Sequence, residues 1–335
     1  MSSRRNHSPA RTISHWRGLS RRAIAGALGA LVLSSCAGLP GALPIGLGEP
    51  ARVDGAALMA DVTILADDRM QGREVGTEGA ALAREYIISR YQQIGIQSFG
   101  DGYESGFTAP ANRRRGEREG VNVAGWLPGR SDNDRVIVIT AHYDHVGVHD
   151  GQIFNGADDN ASGVAAMLEL ARLIRAHPLH HRVLFVALDA EESGLVGARA
   201  FVASPPVSVS AMALNLNLDM VSRGDNGILW AVGTHQNPSL RPVLEAIETG
   251  PGITLRFGRD RPEDQGRDNW VMLSDQAAFH AAGVPFIFFS VDDHADYHQP
   301  TDVAANIDPQ WYEASVQTIW NALRAMDAHL AGQQP

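Results

Sequence analysis

The chain has 335 residues, 44% hydrophobic and 20% charged, which excludes a disordered or fibrous chain and allows one large domain or two small ones. The net charge of −10 is unevenly spread: the first 36 residues hold six of the 28 basic side chains and no acid. The remainder therefore sets 22 basic residues against 38 acidic ones, a net of −16, which argues against nucleic acid as a partner.

Taken in chain order, Arg4, Arg5, Arg11, Arg17, Arg21 and Arg22 precede an apolar run over 23–33, and Ser34-Ser35-Cys36 follows. A basic start, a short apolar run and small residues describe an export signal. The run is shorter than the roughly 20 residues needed to span a bilayer. Cys36 is the sole cysteine, so the body of the chain has no disulfide. Leu33-Ser34-Ser35-Cys36 resembles a bacterial lipobox, with Cys36 as the lipidated first residue, and Ser20-Arg21-Arg22 more weakly resembles a twin-arginine signal. The expectation is a signal over 1–36, a Gly/Pro/Leu-rich tether over 37–53 and a domain over 54–335. The protein would be an exported lipoprotein of the bacterial cell envelope, periplasm-facing or in the outer membrane, or a secreted protein. It would be a monomer touching the membrane only through Cys36.

Residues 54–66 and 78–95 carry apolar positions at helical spacing, and Gly95 closes the second. A charged loop over 113–119 follows, with strands at 121–127 and 135–141. A helix over 161–176, a strand over 183–188, a helix over 194–202 and strands over 211–218 and 228–232 come next. The chain ends with a helix over 238–248, a strand over 284–291 and a helix over 309–330. Strands apolar on both faces and alternating with helices indicate an α/β fold, a single three-layer domain with a mostly parallel central sheet flanked by helices on both faces.

Polar residues gather just after the strand ends, where open α/β sheets build their sites. After 135–141 comes His142-Tyr143-Asp144, in which Asp144 is placed to orient a ligating imidazole. Asn155-Gly156-Ala157-Asp158-Asp159-Asn160 opens onto a helix; one acid would suffice as a cap, and two adjacent acids with no basic neighbour call for a cation. Asp189-Ala190-Glu191-Glu192 pairs two carboxylates at a strand end, one for metal and one free to act as general base. Asn217-Leu218-Asp219 and the segment His294 to Asp302 complete the set. His142, Asp158, Glu192, Asp219 and His298 give two imidazoles and three carboxylates without thiolate, a donor set suited to zinc. Five ligands exceed the usual three of one catalytic zinc and suit two zinc ions about 3.5–4 Å apart that share a carboxylate.

These segments resemble the co-catalytic zinc exopeptidases of the bacterial leucine aminopeptidase and aminopeptidase Y type, relatives of the glutamate carboxypeptidases and glutaminyl cyclases. The match runs through His-x-Asp (142–144), Gly-Ala-Asp-Asp-Asn-Ala-Ser-Gly (156–163), Asp-Ala-Glu-Glu-x-Gly (189–194), Asn-Leu-Asp (217–219) and Tyr-His-x-Pro-x-Asp (297–302). Met70-x-Gly-Arg-x-x-Gly-Thr-x-Gly (70–79) resembles the family's N-terminal signature. The resemblance implies that Asp158 bridges two zinc ions. Glu192 and His298 complete one site, and His142 and Asp219 the other. Glu191 is the general acid/base, and Asp144 and Asp159 lie behind the ligands. It also implies a cis bond between Asp158 and Asp159 and a catalytic Tyr297 that donates to the developing oxyanion. Position 276 departs from the pattern, with Gln276 where many relatives have His, while Phe279 is kept; Gln276, Phe279 and Phe286 are the expected walls of a mildly apolar substrate pocket.

The implied activity is hydrolysis of N-terminal residues from peptides. The alternatives are glutamate-carboxypeptidase-like or glutaminyl-cyclase-like chemistry on the same site. A carboxypeptidase for acidic C-termini would need a basic cluster, with Arg223, Arg259, Arg261 and Arg267 available. A non-enzymatic receptor-like relative is disfavoured, because every ligand and the base are present.

Overall fold

The computed structural model describes residues 51–111 and 116–333. The signal segment, Cys36 and the three-arginine part of the charged loop lie outside the described residues. Among the described residues, no helix is long and apolar enough to cross a membrane.

Helix α1 (Gly55–Leu65) starts where the Asp54 side chain accepts a hydrogen bond from the Ala57 amide. Helix α2 (Glu78–Ile94) starts in the same way at Thr77, and Gly95 ends it in the left-handed conformation, φ 85°. Strands β1 (Gln97–Ser98), β2 (Glu104–Ala109) and β3 (Arg118–Leu127) follow, then β4 (Val136–His142) and the hairpin β5 (Gly147–His149) and β6 (Gln152–Phe154). Next come α3 (Gly163–Ala176), β7 (Arg182–Leu188), α4 (Val196–Ala203), β8 (Met212–Leu218), β9 (Ile228–Val232) and α5 (Arg241–Glu245). Strand β10 (Thr254–Phe257), α6 (Gln276–Ala281), β11 (Phe286–Ser290) and α7 (Pro309–Gly332) complete the chain.

Among the described residues, nine strands form one sheet in the order β1-β3-β7-β4-β8-β11-β9-β10, with β2 also on β3. The central run β7-β4-β8-β11 is parallel throughout. Antiparallel pairs flank it, β3 on β7 and β9 on β11. Every residue of β4 and β8 is buried, as β-branched and apolar strands covered on both faces must be. The period of two sorts their side chains. Ile137 and Ile139 of β4, with Val183 and Phe185 of β7, pack into the large core shared with α1, α3 and α7. Val136 and Val138, with Leu184 and Val186, face a second core with α4 and α6. These are the three layers read from the sequence.

Several expected boundaries differ. The helix expected over 161–176 begins as α3 at Gly163, after an irregular turn over Ala157–Ser162. The stretch 238–248 is broken into a single 3-10 turn and the short α5, with a proline early in each. Strand β3 begins at Arg118, inside the expected loop. Strands β1, β2, β5, β6 and β10 were not expected; they are edge or hairpin strands whose residues are nearly all exposed or half-buried, so they carry no apolar run to announce them.

Candidate metal centre

The carboxyl ends of β4, β7, β8 and β11 converge. His142 is the last residue of β4, Asp219 follows β8, Glu191 and Glu192 follow β7, and His298 lies in the segment after β11. His142 Nε2 stands 3.4 Å from Asp159 Oδ1 and 3.3 Å from Asp219 Oδ1. On the other side, His298 Nε2 stands 3.0 Å from Asp159 Oδ2 and 3.2 Å from Glu192 Oε1. His145 Nδ1 joins this second group, 3.0 Å from Glu192 Oε1 and 3.6 Å from Asp159 Oδ2. The two oxygens of Asp159 thus face two separate donor groups, each able to hold a metal ion.

This geometry corrects the sequence reading by one residue. Asp158 joins neither group. Its Oδ1 accepts hydrogen bonds from the Ser222 amide (2.8 Å), the Ser222 hydroxyl (2.6 Å) and the Ser162 hydroxyl (3.1 Å), and its Oδ2 lies 3.1 Å from His294 Nε2. Neighbouring side chains in this non-helical turn point apart, so Asp158 anchors the turn while Asp159 faces the cluster. The cis peptide bond likewise joins Asp159 and Asn160, rather than Asp158 and Asp159.

The donors fit a divalent cation. Donors about 2.0–2.2 Å from a shared tetrahedral centre lie roughly 3.3–3.6 Å apart, close to the separations above. Glu192 Oε1, Asp219 Oδ1 and both ring nitrogens of His145 are buried with no hydrogen-bond partner among the described residues. Unpaired buried polar atoms are costly, and so many in one place indicate a binding site.

Supporting residues fix this arrangement from behind. Asp302 accepts from the amides of Asp158 (3.0 Å) and Asp159 (3.1 Å). Asp144 accepts from the amides of Glu191 (3.0 Å) and Glu192 (3.3 Å), holding the acid pair more than it holds His142. His142 Nδ1 lies 3.1 Å from the Asp144 carbonyl oxygen and 3.6 Å from the Asp144 carboxylate. Arg73, from the Met70-x-Gly-Arg motif, is fully buried and donates to four carbonyls: Tyr143 (2.7 Å), Leu65 (2.6 Å), Asn155 (2.6 Å) and Gly156 (2.8 Å). It ties the His142 and Asp159 turns together. Arg73, Ala190, Met220 and His298 hold positive φ around the site, where backbone strain tends to gather at functional positions.

The adjacent glutamates are held apart electrostatically. Burial, reinforced by Glu192, Asp219 and Asp275, pushes the Glu191 carboxyl well above its usual range despite His142. Burial acts on Glu192 too, but His145 and His298 outweigh it and hold that carboxyl low. The Tyr297 ring stacks on His298, centroids 4.0 Å apart. Burial first, then the carboxylates of Asp159, Glu192 and Asp219, raise its hydroxyl pKa.

The three expected pocket residues do not face the site. Gln276 is buried, accepting from Asn217 Nδ2 (2.9 Å) and donating to the Trp270 carbonyl (2.8 Å). Phe279 packs in the core beside Phe201, and Phe286 packs with Val232, Trp270 and Phe288. Met272 and Leu273 are exposed just before the buried Asp275. His145 was missed; its signal was a second histidine three residues after His142.

A doubly wound sheet that gathers acids and imidazoles into two adjoining groups at its strand ends defines a metal-binding α/β protein. The chain belongs to peptidase family M28, whose model matches residues 122–323. It is 31% identical over 255 residues to the alkaline phosphatase isozyme conversion protein of Escherichia coli, covering 68% of this chain and 71% of that protein. It is 28% identical over 183 residues to aminopeptidase YwaD of Bacillus subtilis, a match that takes in 51% of this chain but only 37% of the relative. In fold it is similar to a leucine aminopeptidase precursor from Bacteroides thetaiotaomicron, with a TM-score of 0.64, 18% identity, and coverage of 82% of this chain and 97% of that one.

Proposed function

We propose that the chain is a zinc-dependent aminopeptidase that removes N-terminal residues from peptides at a centre of two zinc ions. The observation that carries the reading is Asp159, whose two oxygens each face a separate donor group. His142, Asp219 and Asp159 would hold one ion; Glu192, His298 and Asp159 would hold the other. Zinc bound there supplies electrophilic polarisation of the scissile carbonyl and acidifies water.

The chain's own residues do the rest. Glu191, next to a ligand but not itself in either group, takes the proton from the attacking water and returns it to the leaving amine. Tyr297, stacked on His298, donates to the carbonyl oxygen as charge develops there. The surrounding carboxylates favour the α-ammonium of a free N-terminus.

The pairing of the arginines speaks against a carboxypeptidase for acidic C-termini. Arg223 is paired with Asp225 and Asp296, Arg259 with Asp268 and Asp292, Arg261 with Glu263, and Arg267 with Asp293. No unpaired basic cluster is left among these four. The basic, apolar N-terminus and Cys36 support export and a lipid anchor in a bacterial envelope.

The test is hydrolysis of an aminoacyl-p-nitroanilide panel by the full chain, with chelator, with added zinc, and as Glu191→Gln. Release that chelator abolishes, zinc restores and the variant lacks supports the reading. No release from protein shown to hold zinc overturns it.

A further inference from the structure

Resting on that metal-centre reading, we infer that His145 is a fourth protein donor on the Glu192–His298 side, so that the two half-sites are unequal. That side offers His145, Asp159, Glu192 and His298; the other offers His142, Asp159 and Asp219.

Four donor separations around the first side close a ring. His145 Nδ1 to Glu192 Oε1 is 3.0 Å, Glu192 Oε1 to His298 Nε2 is 3.2 Å, His298 Nε2 to Asp159 Oδ2 is 3.0 Å, and Asp159 Oδ2 to His145 Nδ1 is 3.6 Å. Donors sharing one tetrahedral zinc lie about 3.3–3.6 Å apart. The His145 side chain is fully buried, and Nδ1 and Glu192 Oε1, 3.0 Å apart, form no well-aligned hydrogen bond with each other or with any other described residue.

The backbone is built to make room for this ring. Gly156 has φ 57°, and a Cβ there would come within 2.5 Å of His145 Cγ. Arg73 grips the carbonyls of Tyr143 and Gly156 on either side of the imidazole, at 2.7 and 2.8 Å. The ring meets His298 edge-on, centroids 5.5 Å apart.

Unequal donor counts have a functional consequence. Structural zinc sites are closed by four protein ligands, whereas catalytic ones keep an open position beside three. The four-donor side is then the tighter holder, and the His142–Asp219 side is where a substrate group enters.

The experiment uses the full chain, labelled with ¹⁵N-histidine and loaded with ¹¹³Cd, and reads one-bond nitrogen–cadmium couplings, each imidazole assigned through its ring-to-backbone correlations. Couplings at His142, His145 and His298 are expected, with His145 and His298 on the same cadmium. Zinc titration against a chromophoric chelator should resolve two affinities at least tenfold apart, and His145→Ala should weaken the tighter by at least tenfold while sparing the other. Coupling at His142 and His298 but not His145 overturns this inference alone, as do two equal affinities. Failure to bind cadmium or zinc overturns the metal-centre reading along with it.

Discussion

Replacing Arg73 with Met tests how far the centre depends on a residue that touches no metal donor. The guanidinium is fully buried and makes four hydrogen bonds to carbonyls of four separate residues. Hydrogen bonds to a charged group are worth about 1.5–3 kcal/mol each net, and four in one cluster are not additive. Against them, burial pulls the guanidinium down to about 10 even with Asp159, Asp302, Asp144 and Glu192 around it, roughly 3 kcal/mol against the charged form. The expected loss for Arg73→Met is therefore about 3–5 kcal/mol, in the range for breaking a buried charge from its partners. Arg73→Lys keeps the charge but not the fork and should lose about half as much. Urea unfolding of metal-free protein reads the loss directly. Because Arg73 fixes the turns carrying His142, His145 and Asp159, the gap to wild type should widen when zinc is added, since weaker binding gives less linked stabilisation. A metal-free loss under about 1 kcal/mol, or an unchanged gap in zinc, would refute the reasoning.

Glu191→Gln should lower kcat by about 10²–10⁴-fold with zinc content unchanged, read by steady-state kinetics beside elemental analysis. Asp327 of α7 accepts from the His180 amide (2.8 Å), the His181 amide (3.0 Å) and His181 Nδ1 (2.8 Å). Burial opposes its charge, but these donors win and hold its carboxyl below the usual value. A depressed folded pKa gives stability that is present above the unfolded value near 3.8 and lost as pH falls through the folded one. Asp327→Asn should thus cost about 1–3 kcal/mol at pH 7, and the cost should shrink below about pH 4, as measured by urea unfolding across pH.

The central strands were legible because β4, β7, β8 and β11 are short, largely apolar runs, and α1 and α2 because their apolar positions fall at helical spacing, with Gly95 ending the second. That acids and histidines gather just after those strands was legible; which of them face one another was not. What failed was orientation. Nothing in Asp158-Asp159-Asn160 says which carboxylate faces the cluster; Ser222, His294 and Asp302 decide it from 64 to 144 residues away. Gln276, Phe279 and Phe286 were misplaced for the same reason, since the rotation of α6 and the face of β11 are set by packing partners elsewhere in the chain. Arg73 stood in a motif that was read, but its role lies in carbonyls that a sequence does not display.

The most direct measurement is zinc content per chain, by mass spectrometry of metals, for wild type, Asp159→Asn and Asp158→Asn. A shared Asp159 predicts two zinc ions in wild type and in Asp158→Asn, and fewer than two in Asp159→Asn. Two ions retained in Asp159→Asn, with loss in Asp158→Asn, would contradict the account.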